Sequence, residues 1–141
     1  PGRTRHNASD LDHHLARCPD MVISLTEMPE MARKGSATLG LDLQAVNVAW
    51  HHVPIPDFGV PTVEQTARLE GLTGVALSCL ARGGRVLVHC FGGCGRSGMV
   101  VARVMVAAGR TPNDAVERLR RARPCAIETP QQMTWVQRPG A

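Results

Sequence analysis

The 141 residues give room for one domain, and a chain of this size buries about two-thirds of its unfolded surface, so no stapling device is required. Aromatic residues make up 3%, namely Trp50, Trp135, Phe58 and Phe91, which weighs against a surface built mainly to stack bases and leaves the core to Val, Leu, Ala, Ile and Met. The net charge of +4, carried by arginine apart from Lys34, suits an anionic partner without requiring nucleic acid.

In chain order, residues 1–9 are polar and read as a tether, and Ser9 caps a short helix over 10–17. The short apolar run 21–25 is a buried strand. From 27 to 44 the pattern is mixed, with Pro29, Gly35 and Gly40 breaking any long element. A second strand over 46–53 enters a loop stiffened by Pro54, Pro56 and Pro61. Residues 62–82 have helical spacing, with Val63, Ala67, Leu69, Val75, Leu77 and Leu80 on the inward face, weakened by Gly71 and Gly74. A third strand over 85–89 leads into a glycine-rich turn, and an apolar helix over 96–108 stops at Gly109. Thr111, Pro112 and Asp114 open the next helix with a hydroxyl cap, an N-terminal proline and a first-turn acid, and it runs to about Arg123. A last short helix covers 129–136. Strands alternating with helices predict one α/β domain over 1–141, with a central, mostly parallel twisted sheet flanked by helices.

The five cysteines at 18, 79, 90, 94 and 125 are an odd number in a chain that needs no staples, so reduced thiols and a cytoplasmic setting are expected. No apolar run approaches the roughly 18 residues of a membrane span.

The stretch Val86-Leu-Val-His-Cys-Phe-Gly-Gly-Cys-Gly-Arg-Ser-Gly98 carries the chemistry. Cys90 leaves a buried strand, and Arg96 opens a helix after Phe91, Gly92, Gly93, Cys94 and Gly95. Three glycines let successive backbone amides turn inward as an anion nest, and the helix adds the positive end of its dipole. Amides and cation together favour a thiolate at position 90. Arg96 can grip two phosphate oxygens in a planar fork. A lone Cys-x5-Arg would be a glycine turn beside an inert cysteine, but the preceding strand, the glycines and the Ser97-Gly98 helix start point to a phosphate site. A Walker-type loop is excluded, since no Gly-Lys-Ser/Thr is present.

This stretch resembles the His-Cys-x5-Arg-Ser/Thr loop of the cysteine-based protein tyrosine phosphatase superfamily. Upstream, Ile55-Pro-Asp-Phe-Gly-Val-Pro61 is similar to the superfamily's Trp-Pro-Asp-Phe-Gly-Val-Pro loop, differing at Ile55. Downstream, Ala126-Ile-Glu-Thr-Pro-Gln-Gln132 is similar to its Gln-Thr-x-x-Gln segment. The acid precedes the cysteine, unlike the low-molecular-weight branch. The short chain and the HCFGGxGRS form look most like the compact dual-specificity group, particularly the kinase-associated phosphatase subfamily.

The resemblance implies Cys90 as the nucleophile, Asp57 as general acid and then base, and Arg96 as the phosphate clamp. Ser97 would donate a hydrogen bond to the Cys90 sulfur, and His89 would orient the loop behind it. Residues 91–96 would cradle the phosphate through their backbone donors. Glu128 and Gln132 are candidates for holding the attacking water, with Glu128 standing where the tyrosine-specific members carry glutamine. Phe58 is a candidate ring contact for the substrate, or packs the loop down. Cys94 either pairs reversibly with Cys90 or only packs. The arginines at 118, 120, 121 and 123 form a solvated basic face or a guide for phosphorylated partners. Histidine pairs 13–14 and 51–52 read as structural.

The expected activity is metal-independent hydrolysis of phosphomonoesters on phosphotyrosine, and on phosphoserine or phosphothreonine, through a cysteinyl-phosphate. It needs no metal or organic cofactor. The expected partners are a phosphorylated protein or peptide and phosphate-like oxyanions, with no nucleic acid and no membrane, on a monomer. Two alternatives stand beside it: a phosphoinositide or inositol-phosphate phosphatase, disfavoured by the uncharged loop side chains, and a catalytically weak phospho-binding module, disfavoured by the intact Cys90, Arg96 and Asp57.

Overall fold

The computed structural model describes residues 19–139, so the expected tether, the helix over 10–17, Cys18 and the histidines at 13 and 14 lie outside the described residues. Within them, the chain runs β1 (Met21–Ser24), α1 (Met28–Arg33), α2 (Leu39–Ala45), β2 (Ala49–His52), α3 (Val63–Ala81), β3 (Val86–His89), α4 (Gly95–Ala107), α5 (Pro112–Ala122) and α6 (Pro130–Gln137). The sheet order is β2-β1-β3, with both pairings parallel. This is the expected single α/β domain.

β1 is central, and all four of its residues are buried. Side chains alternate across a strand, so the two faces receive different partners. Met21, Ile23 and the following Leu25 point into the larger core with Leu69, Leu72 and Ala76 of α3, Met99, Val100 and Ala102 of α4, and Trp135 and Val136 of α6. Val22 points the other way, toward Met31, Leu39 and Leu43 of α1 and α2. Register fixes the site, because Ser24 stands opposite both His52 and His89 at the carboxyl ends of the strands.

Three local expectations are corrected. The 27–44 region holds no long element, as expected, only the short α1 and α2, but Pro29 opens α1 rather than ending it, where its missing amide costs no hydrogen bond. Gly40 sits inside α2 because a Cβ there would overlap the Trp50 ring. The inward face of α3 is Leu69, Leu72, Ala76 and Cys79, whereas Val63, Val75 and Leu80 are exposed. The start of α3 follows expectation: Thr62 Oγ1 accepts from the Gln65 amide, and the Gln65 side chain accepts from the Thr62 amide. Among the described residues no helix is long and apolar enough to cross a membrane.

Candidate active site

In an open parallel sheet the carboxyl ends of the strands feed one crevice. Here β1 leads to Glu30, β2 leads to Asp57, and β3 leads to Cys90 and Arg96. The Arg96 guanidinium is their meeting point and is 1% exposed. Its Nη1 donates to Glu30 Oε2 at 2.8 Å and to the Ile55 carbonyl at 2.9 Å, and its Nη2 donates to Glu30 Oε1 at 2.9 Å. Asp57 Oδ1 lies 3.4 Å from the same Nη2.

The Arg96–Glu30 contact is a bidentate fork, which fixes the plane of the guanidinium as well as its position. Arginine burial alone would weaken the cation, but the hydrogen bonds and charge of Glu30 outweigh it and raise the Arg96 pKa. The same bonds hold the Glu30 carboxyl below the usual carboxylate range, against the opposing effect of its own burial. Glu30 Oε2 also accepts from the Glu27 amide at 2.8 Å, so the carboxylate is anchored to the first turn of α1.

Cys90 Sγ lies 3.3 Å from Ser97 Oγ, in the first turn of α4. No side chain caps that helix, so its leading amides are left for an anion. His89 is engaged with β1. Trp50 Nε1–H donates to Ser24 Oγ at 2.8 Å, and Ser24 Oγ meets His89 Nε2 at 2.5 Å. Ser24 Oγ thereby ties the His89 ring to Trp50 and β1. Burial pushes the His89 pKa down to about 4, opposed by a hydrogen bond with the Cys90 backbone. His89 is thus a neutral strut under the loop.

This has a pH consequence. The unfolded chain takes up a proton near 6.5, which the folded chain refuses until about pH 4. Stability is therefore full above the upper value and falls as pH drops toward the lower one. Chemical denaturation at about pH 7 and about pH 5 is expected to show His89 contributing roughly 2 kcal/mol to the loss, which His89→Gln removes. Equal losses in wild type and variant would contradict this.

Asp57 is exposed and its Oδ1 accepts from the Phe58 amide at 3.0 Å. Phe58 has φ +62° and is 59% exposed, so it does not pack the loop down. Gln132, expected beside a water, is fully buried instead. Its Oε1 accepts from the Glu128 and Thr129 amides at 2.9 and 3.3 Å, and its Nε2 donates to the Gly59 carbonyl at 3.1 Å. Gln132 therefore stitches the Asp57 loop to the start of α6. Glu128 is exposed, with its carboxylate against Gly95, where a Cβ would strike both Glu128 and Gln132.

The cysteines differ from expectation. Cys94 is disulfide-bonded to Cys125, so it is not a partner for Cys90, and the five thiols are not all reduced. Cys90 and the buried Cys79 are free. The basic helix is also largely committed. Arg118 and Arg121 pair with Asp114 and Glu117, Arg120 donates to the Ala126 and Ile127 carbonyls, and Arg123 donates to the Gly93 and Gly92 carbonyls. Lys34 Nζ stands 2.9 Å from the centroid of the Phe91 ring. Sequence reasoning missed Glu30, Ser24 and Trp50, and did not place Arg123 or Cys125 against the loop. Only Glu30 carried a usable signal, as an acid placed just after a parallel strand.

Residues 3–110 match the family described as "Polymorphic toxin system, DSP-PTPase phosphatase". Cyclin-dependent kinase inhibitor 3 of Rattus norvegicus is 35% identical over 101 residues, which cover 68% of this chain and 46% of that protein. The chain thus spans less than half the length of that curated relative. Among solved structures, Tk-PTP in its active form superimposes with a TM-score of 0.70 at 31% identity, covering 88% of this chain and 80% of the other. Kinase associated phosphatase with its catalytic-site cysteine replaced by serine gives 0.72 at 28% identity, covering 86% and 68%. The chain belongs to the DSP-PTPase family, the compact dual-specificity type of cysteine-dependent protein tyrosine phosphatase.

Proposed function

We propose that this chain hydrolyses phosphomonoesters on proteins, phosphotyrosine first and phosphoserine or phosphothreonine second, through a phosphorylated Cys90. The observation that carries the reading is the convergence of Cys90, Glu30-braced Arg96 and Asp57, with Asp57 3.4 Å from the guanidinium. The chain's own side chains supply nucleophile, cation and proton donor, so the steps below need no metal.

The substrate's phosphoryl oxygens take the amides of residues 91–96 and the two Arg96 donors that Glu30 and Ile55 leave, Nε–H and the second Nη2–H. Cys90 sulfur attacks phosphorus in line as the bond to the leaving oxygen breaks, and Asp57 delivers a proton to that oxygen. In the second step water attacks phosphorus, its proton passes to Asp57, and the sulfur leaves as a thiolate. The Ser97 hydroxyl donates to that thiolate and improves it as a leaving group. Glu128, against Gly95 at the loop, is the residue we assign to orienting the water. Phe58, exposed beside Asp57, is the assigned contact for a substrate ring. His89 holds the loop from behind.

Family membership supports phosphorylated proteins as substrates. The test is turnover of aryl phosphates in the presence of a chelator. Asp57→Asn is expected to slow poor leaving groups about 10²–10³-fold while barely affecting good ones. Equal losses across the leaving-group series would assign the acid elsewhere, and strict dependence on a divalent ion would overturn the mechanism. A parallel panel of phosphotyrosine, phosphothreonine and phosphoinositide substrates decides the substrate class.

A further inference from the structure

From the contacts outside the loop we infer that Arg123 is a positioning residue for the proposed phosphatase reaction, acting by turning the loop's amides toward the phosphate. The inference rests on the reading of residues 91–96 as the phosphate cradle.

A glycine-rich segment does not hold an amide nest by itself, because Gly92 and Gly93 have wide conformational freedom. Something must fix their peptide planes. Arg123 does so from the far side: its Nε donates to the Gly93 carbonyl at 2.7 Å and its Nη2 to the Gly92 carbonyl at 2.8 Å. The Ile127 amide donates to the next carbonyl, that of Cys94, at 3.2 Å. Three consecutive carbonyls are thereby gripped by one segment, residues 123–127, the Cys94 carbonyl being shared with the Gly98 amide of α4 at 3.0 Å.

No described peptide bond is cis. In a trans peptide the carbonyl of one residue and the N–H of the next point in opposite directions. Holding the Gly92 carbonyl outward therefore aims the Gly93 N–H inward, and holding the Gly93 carbonyl aims the Cys94 N–H inward. The Ile127 contact does the same for the Gly95 N–H. Arg123 thus sets two of the cradle's donors without touching substrate. Gly93 has φ +69°, and a Cβ there would lie 2.7 Å from Arg123 Nη2, so the close approach requires glycine on both counts.

The bracket is itself braced. The Arg123 amide donates to the Leu119 carbonyl at 2.8 Å, which ties the residue to the end of α5. Arg120 grips the Ala126 and Ile127 carbonyls at 2.9 and 3.1 Å. The Cys94–Cys125 disulfide joins loop to bracket covalently. Lysine at position 123 would keep the charge but not the planar fork that spans two carbonyls.

The experiment measures tungstate dissociation constants and para-nitrophenyl phosphate kinetics on wild type, Arg123→Ala, Arg123→Lys and Arg121→Ala, all with the disulfide intact. Arg121 is an exposed arginine on the same helix, paired with Glu117. Arg123→Ala is expected to weaken tungstate binding and raise KM about tenfold, and Arg123→Lys to recover part of that loss. Arg121→Ala is expected to leave both unchanged. Tungstate affinity within twofold of wild type in both Arg123 variants overturns the inference, as does an equal loss in Arg121→Ala, which would make it a bulk charge effect. Should Arg123→Ala not fold, Arg123→Lys alone decides, with a loss of about threefold expected and none overturning the inference. A wild-type chain that neither binds tungstate nor turns over substrate would instead overturn the phosphatase reading itself.

Discussion

Cys90→Ser is expected to cut turnover of para-nitrophenyl phosphate by a factor on the order of 10⁴–10⁶, while tungstate binding stays within about threefold of wild type. The two effects separate because the cradle is built from other atoms: the free edge of the Arg96 guanidinium, the loop amides and the first turn of α4. A serine hydroxyl must lose its proton to attack, and no base stands ready to take it. His89 is adjacent in sequence, yet its Nε2 is committed to Ser24 and burial makes its ring a poor proton acceptor. Asp57 lies on the Arg96 side and is assigned to the leaving oxygen. Substantial turnover in Cys90→Ser would mean that a different nucleophile acts.

Glu30→Ala is expected to lower kcat/KM about 10²–10³-fold and stability by about 3 kcal/mol. Arg96 is 1% exposed, so removing its carboxylate leaves a buried cation with the Ile55 carbonyl and the more distant Asp57. Arg96 then turns toward Asp57, which withdraws the acid from the leaving group while loosening the phosphate clamp. Glu30→Gln is no remedy, because its amide presents only one acceptor to two guanidinium donors and turns an N–H toward the other. Acid produces the same loss reversibly. With the Glu30 carboxyl held below its ordinary 4.5, the pair survives mild acid, and its stabilisation is lost only as pH falls through the lowered value. Both readouts, thermal denaturation and kinetics, must respond. A variant that loses stability but keeps wild-type kcat/KM would show Glu30 to be structural only.

Local signals explain what could be read from the chain. The strand, glycine loop and helix over 85–108 announce themselves within one short window, and so does the Thr111 cap. Glu30 could not be paired with Arg96 that way, since 66 positions separate them and only the parallel register brings β1 and β3 together. Pro29 was ambiguous for a different reason: proline ends helices and also opens them, and its position relative to the strand decides which. The inward face of α3 was misassigned because Val63, Val75 and Leu80 are as apolar as the residues that are buried. Composition argued for reduced thiols, but it cannot see that the α5–α6 connection brings Cys125 beside Cys94.

The central claim is that Cys90 carries the phosphoryl group between the two steps. Rapid acid quench of wild type and Cys90→Ser with a radiolabelled phosphotyrosine peptide, followed by peptide mapping, tests it directly. Label on the peptide containing Cys90 in wild type, and none in Cys90→Ser, is the predicted result. Label on another residue, or hydrolysis at full rate with no labelled enzyme at any quench time, would contradict it.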